Sequence, residues 1–266
     1  RSTLFPYTTL FRSPYRIKFA KAKLRQFPDA VFLPADFAQY SDISQKSMEV
    51  IKGHADIFEY VGKDEAYLDV TKRIESNFQA ASHLAQQIKN QIRSEVKMTC
   101  SIGVSVNKLV SKIASGFRKP DGLTIVEPHG VESFLNPLKI GDIPGIGKVT
   151  EEKFTEMGLK TISELRRVDV FTLNKMFGRK ISSYIYNAAR GTDDDPVAPR
   201  QPTIQFSRII TLKEDSKDFG FLSQSIDEIC SDLHKTVLKH KKLFRSVGIQ
   251  FVHYMEIGRA SCRERV

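Results

Sequence analysis

Cysteine is scarce, with three among 266 residues. Cys262 falls in a basic tail, while Cys100 and Cys230 lie far apart in apolar patterns. That number and spacing exclude a disulfide framework and a clustered zinc site, and predict reduced core thiols of an intracellular protein. Long hydrophobic runs are missing as well. No stretch approaches the ~20 apolar residues of a membrane span, and no secretory leader pattern is visible. There is no internal repeat and no low-complexity tract. Acidic excess is absent too: 41 Lys and Arg stand against 31 Asp and Glu, a formal charge of +10. That balance favours a polyanionic partner.

Both ends break with the rest of the chain. RSTLFPYTTLFRS, residues 1–13, carries no helical or strand period into the segment after it. IGRASCRERV, residues 257–266, is a basic tail breaking off a β-like run. Both are read as translated adapter or vector scars and set aside from the fold. They hold five arginines against one glutamate, so four of the ten positive charges belong to them and the rest of the chain is still basic. With 41% hydrophobic residues the chain has enough apolar side chains for two or three domains.

Residues 15–26 form a basic segment of helical character, and Ala30, Val31, Phe32 and Leu33 suit a short buried strand. A helix is predicted over 41–52 and a strand at IFEYV. From 76 to 96, Phe78, Ala81, Leu84, Ala85, Ile88 and Ile92 recur at three- and four-residue spacing, which predicts a long amphipathic helix. Met98, Cys100, Ile102 and Val104 alternate as a half-buried strand. The helix NKLVSKIASGF, the turn RKPDG and the strand LTIV come next, so a helix-backed mixed sheet is the economical reading. At Gly141 the character changes to a small helical unit. Thr161 and Glu164 have capping-box spacing, and further helices lie near 170–177 and 179–190, the second burying Ile181, Ile185 and Ala188. The polar, proline-rich stretch RGTDDDPVAPRQP reads as a linker. A third unit begins after it: a strand with Ile204, Phe206, Ile210 and Leu212, a helix with Leu222, Ile226, Ile229, Leu233 and Val237, then a strand with Val247, Ile249 and Phe251.

The chemistry gathers at YVGKDEAYLDVT, where Asp64 and Glu65 sit side by side between short apolar runs. Adjacent carboxylates on a β element repel, and they are stable together where a cation, often a divalent metal, neutralises them. An exposed acidic turn is the plain structural reading. PGIGKVTEEKF looks like a helix-hairpin-helix. Gly145 and Gly147 would let backbone N–H groups approach a phosphate, with Lys148 beside them. Lys235, Lys239, Lys241, Lys242 and Arg245 cluster at the end of the last helix, either as a solvated face or as a phosphate grip.

KDEAYLDVT, SIGVSVNKLVSKIASGFRKPDG and DIPGIGK, in that order, resemble the Y-family DNA polymerases, close to the DNA polymerase IV branch. The resemblance covers residues 15–253 and implies an α+β chain with a partial polymerase palm, a helical thumb and a truncated β-α-β little finger. Its divisions are 14–140 for partial fingers and palm, 141–190 for the thumb, 191–203 for the linker and 204–256 for the little finger. It further implies lesion-tolerant, template-directed nucleotidyl transfer in the cytoplasm, with two Mg²⁺ ions, primer–template DNA and deoxynucleoside triphosphates, and a sliding-clamp contact through a further C-terminal segment. Asp64 and Glu65 match the metal-binding and catalytic carboxylates, and Lys119 of RKPDG the lysine that contacts the triphosphate. Gly145, Gly147, Lys148, Lys239, Lys241, Lys242 and Arg245 are the DNA-binding candidates. Gly62 and Lys63 depart from the family, which has Ser and a β-branched residue there. The family's first palm strand, with another metal-ligating aspartate and an aromatic gate, is not matched, so the chain alone is expected to be nearly inactive. Two other readings compete. GKDEA and CSIGVS also look like pieces of a GGDEF nucleotidyl cyclase, and a non-catalytic helix-hairpin-helix DNA-binding protein would keep the hairpin without the chemistry.

Overall fold

The structure, a computed structural model, describes residues 35–199, 205–212, 216–244, 246–252 and 257–263. The segments expected at 15–26 and 30–33, the first 13 residues, and Arg245 lie outside the described residues. The chain divides into two compact units, residues 1–200 and 201–266.

In the first unit, α1 (Phe37–Gly53) starts at Asp36, whose carboxylate accepts the Gln39 N–H at 2.9 Å. A hairpin of β1 (Ile57–Gly62) and β2 (Glu65–Asp69) comes next, antiparallel with a register shift between Tyr60 and Gly62. The amphipathic stretch forms α2 (Phe78–Gln91), capped by Asn77, and ends in one π turn, Ile92–Val96, before Lys97 takes a φ of 60°. β3 (Ile102–Val104), α3 (Lys108–Phe117) and β4 (Leu123–Ile125) make a parallel crossover. The expected strand over 98–104 is shorter, because its partner β4 has three residues to pair with. The expected helix-backed mixed sheet includes a strand at 30–33 that lies outside the described residues. Among the described residues the hairpin and the parallel pair are separate two-stranded ladders.

Helices take over from there: α4 (Val131–Leu135), a 3₁₀ turn at Ile140–Asp142, α5 (Lys148–Glu156), α6 (Ile162–Leu165), α7 (Val170–Phe177) and α8 (Arg179–Ala189). The capping box forms as expected: Glu164 accepts the Thr161 N–H at 2.9 Å, and the Thr161 hydroxyl accepts the Glu164 N–H. Ile181, expected inside α8, is exposed; Ser182, Ile185 and Ala189, at three- and four-residue spacing, form the inward stripe instead. One continuous core runs from α3 to α8 through Leu109, Val110, Leu135, Ile143, Phe154, Ile162, Leu173 and Ile185, crossing residue 141 without a break. A smaller core of Ile88, Ile92 and Cys100 packs with Val50, Leu68 and Leu84 from α1, β2 and α2. Burial pushes the Cys100 thiol up to about 11, so it stays protonated as a core group.

In the second unit, residues 205–212 form no strand, and α9 (Phe219–Lys239) leads into a hairpin of β5 (Ser246–Val252) and β6 (Ile257–Arg263). The expected β-α-β order is therefore coil, helix, hairpin. Alternation at 205–212 makes no ladder without a partner strand, whereas the tail read as a scar pairs with β5 over seven positions. Cys230, expected in the core, is exposed, because it sits at the edge of the α9 apolar stripe, of which only Val237 is buried.

Candidate active site

Asp64 ends the two-residue turn of the first hairpin and Glu65 opens β2. Lys63 leaves its neighbours alone. Its ammonium donates to Ser41 Oγ at 2.7 Å on α1, and its carbonyl accepts from the buried Ser44 hydroxyl at 2.5 Å. The turn is thus pinned to α1, and the added positive charge faces away from the carboxylates.

Asp64 and Glu65 line a cleft of about 670 Å³ together with Lys108, Ser111, Lys112 and Ser115 of α3, and with residues 193–197. Lys112 Nζ meets Glu65 Oε2 at 2.5 Å. Lys108 Nζ contacts the Glu59 carboxylate at 3.1 Å and also binds Asp195. Burial acts to lower the Lys108 ammonium, but its bonds to Asp195 and Glu59 outweigh this and hold it above its ordinary value. Burial, and then the negative charge of Glu65, push the Tyr67 hydroxyl up. Sequence reasoning missed Lys108 and Lys112. Their signal is a second stripe on α3, polar residues at 108, 111, 112 and 115 beside the apolar Leu109, Val110 and Ile113.

The stretch after α8 is anchored rather than loose. Asn107 Nδ2 donates to Gly191 O at 2.8 Å, the Leu109 N–H donates to Asp193 at 3.0 Å, and the Ala198 N–H donates to Glu59 at 3.0 Å. An aspartate at the N-terminus of α3 meets the positive end of the helix dipole there.

Lys119 sits half-buried in the turn at the end of α3, the helix whose Ser111, Lys112 and Ser115 line the cleft, and burial lowers its ammonium to about 8. In the helix-hairpin-helix region, Gly145 has a φ of 85°, a left-handed backbone that disfavours any side chain, and Tyr184 donates to the Pro144 carbonyl across the turn. Gly147 starts α5 without a side-chain cap, which leaves first-turn N–H groups for an anion. Lys148 is 88% exposed and, among the described residues, makes only a 3.7 Å pair with Glu152. Ile143 and Ile146 bury the other side of the turn. In the second unit, Lys239 ends α9 and Lys241 and Lys242 come directly after it, all exposed.

The impB/mucB/samB family model matches residues 15–116, and the model of the DNA polymerase-iota thumb domain matches residues 141–193. DNA polymerase IV of Nitrosopumilus maritimus (strain SCM1) is 59% identical over 241 residues, covering 91% of this chain and 66% of its own length. The chain belongs to the Y family of DNA polymerases. DNA polymerase IV 1 of Methanosarcina mazei is 38% identical over 231 residues, covering 85% of this chain and 63% of its own. The chain therefore spans a little under two thirds of the curated relatives it matches. Among solved structures, the Y-family DNA polymerase chimera Dbh-Dpo4(243-245)-Dbh aligns with a TM-score of 0.82 at 26% identity, covering 92% of this chain and 71% of that one. The insertion ternary complex of Dbh DNA polymerase aligns with a TM-score of 0.71 at 27% identity, covering 97% of this chain and 73% of that one. The Y-family likeness carries the α+β class and the helix-hairpin-helix thumb with it. Nothing in these similarities points to a GGDEF cyclase. Among the described residues no helix is long and apolar enough to cross a membrane.

Proposed function

We propose that this chain is a fragment of a translesion DNA-directed DNA polymerase, nearly inactive alone, and that it supplies two metal-binding carboxylates and part of the DNA grip to a full-length polymerase acting on primer–template DNA and deoxynucleoside triphosphates in the cytoplasm. The observation that carries the reading is the placement of Asp64 and Glu65 at the tip of a pinned hairpin, on the wall of an open cleft. The donor set fits Mg²⁺. Two hard carboxylates suit an ion that keeps several waters and takes one or two protein carboxylates plus substrate phosphates. Asp64 and Glu65 would hold metal together with a further aspartate of the full-length polymerase, where two Mg²⁺ ions would supply charge stabilisation at the primer hydroxyl and the triphosphate.

The chain's own residues do the rest. Lys112 holds Glu65 in place until a cation competes for the same oxygens. Lys119, whose ammonium is partly stripped of water, is suited to an anionic phosphate, whose charge would restore its protonated form. The uncapped start of α5 and Lys148 hold a DNA phosphate without reading bases. Lys239, Lys241, Lys242 and Arg245 are proposed to add non-specific charge in the second unit. Primer extension by the full-length polymerase tests the reading. Template-complementary incorporation that requires a divalent cation is expected, and cyclic dinucleotide formation from GTP without template use would overturn it.

A further inference from the structure

We infer that Lys89 is a positioning residue for nucleotide binding: from inside α2 it fixes the turn over residues 118–122 and so keeps Lys119 ready for the triphosphate. This rests on the proposed role of Lys119.

Lys89 is a charged side chain only 8% exposed. A buried ammonium is tolerated when every donor finds an acceptor. Here Nζ reaches Cys100 O at 2.6 Å, Asp121 O at 2.9 Å and Asp121 Oδ1 at 2.5 Å. Two of those three acceptors belong to one residue of the turn. Arg93, four residues along from Lys89, binds the other carboxylate oxygen of Asp121. Asp121 is held at a φ of 51°, and the turn closes so tightly that a Cβ at Gly122 would lie 2.0 Å from Arg118 O. The Gly122 N–H donates to Ser101 Oγ at 3.1 Å, which ties the turn to the residue before β3.

The clamp has two effects on Lys119, two residues before Asp121. It fixes the backbone that carries Lys119. It also occupies Asp121, the only carboxylate in the turn, with two other cations. Lys119 makes no hydrogen bond or ion pair among the described residues and is half-buried. A half-buried cation whose neighbouring carboxylate is already neutralised is matched to an anion from outside. A staple that merely joined α2 to β3 would need the Cys100 bond but not the carboxylate of Asp121.

The test titrates the chain with inorganic tripolyphosphate by calorimetry, using Lys119→Ala, Lys89→Met, their double variant and Asp121→Asn. Charge-assisted hydrogen bonds lost at a binding site weaken affinity about tenfold or more. Lys119→Ala and Lys89→Met should each show such a loss, and the double variant no further loss, since Lys89 acts through Lys119. Asp121→Asn keeps a residue that tolerates the left-handed backbone and should weaken binding in the same direction. If Lys89→Met does not fold, judged by loss of a cooperative melt, the Asp121→Asn result decides. Wild-type affinity in Asp121→Asn, or losses that multiply in the double variant, would overturn the positioning role while leaving Lys119 as a phosphate contact. Wild-type affinity in Lys119→Ala would remove that contact and the inference with it.

Discussion

Lys63 shows how little a residue's neighbours in sequence say about where its charge goes. It adjoins Asp64 in the chain, yet its ammonium lies on Ser41 of α1. Replacing it with Thr should therefore leave nucleotide incorporation by the full-length polymerase within a few-fold; a large gain or loss in steady-state rate would show that its charge reaches the site. The carboxylate pair is legible in the sequence because two adjacent like charges between apolar runs are conspicuous. Lys112 is not, since its contact with Glu65 exists only once α3 packs beside β2. Lys119 gives a pH dependence with a definite sign. Its ammonium titrates near 8 when folded, below the ordinary lysine value, because it is partly desolvated. Tripolyphosphate affinity should fall as pH rises through that value. Between the folded and unfolded values the unfolded chain binds the proton that the folded chain has lost, so this group makes stability rise with pH. Below both values its contribution is constant. Urea unfolding at pH 8 and pH 10 should show that rise diminished in Lys119→Met relative to wild type. Shifts from Tyr67 and Cys100 are common to both proteins and cancel in the comparison.

At the level of elements, helices read well and strands poorly. The stripe over 78–92 and the Thr161–Glu164 capping box depend on local spacing, which the sequence displays directly. A strand needs a partner elsewhere in the chain. Alternation at 98–104 overruns the three-residue ladder with β4, and alternation at 205–212 makes none. Conversely, the tail 257–263, foreign in its composition, pairs with β5. Thr161→Ala removes the cap of α6 and should cost about 1 kcal/mol in chemical denaturation. In the helix-hairpin-helix, Lys148→Glu should weaken binding to duplexes of any sequence alike and lower the salt slope by about 1, because phosphate contacts act through counterion release. A loss confined to one sequence in a binding titration would argue for base readout instead.

For the molecule as a whole, the main core joins α3, which carries Lys108 and Lys112, to the helical part that carries the hairpin. Fully buried Phe154 lies in that core, so Phe154→Ala should cost roughly 3–5 kcal/mol and loosen both parts together. Hydrogen exchange showing α3 and α5 opening with one free energy would agree. This continuity is hidden in the sequence: the change of character at Gly141 is legible, and the thumb-domain model begins there, but the apolar faces shared across it become visible only when the helices meet. The central claim is that Asp64 and Glu65 form the metal-holding pair of a polymerase. The most direct test is single-turnover incorporation of a correct nucleotide by the full-length polymerase bearing Asp64→Asn or Glu65→Gln, at saturating primer–template and Mg²⁺. The predicted result is a rate lower by roughly a hundredfold or more in each variant, with primer–template affinity unchanged. Incorporation within a few-fold of wild type in either variant would contradict it.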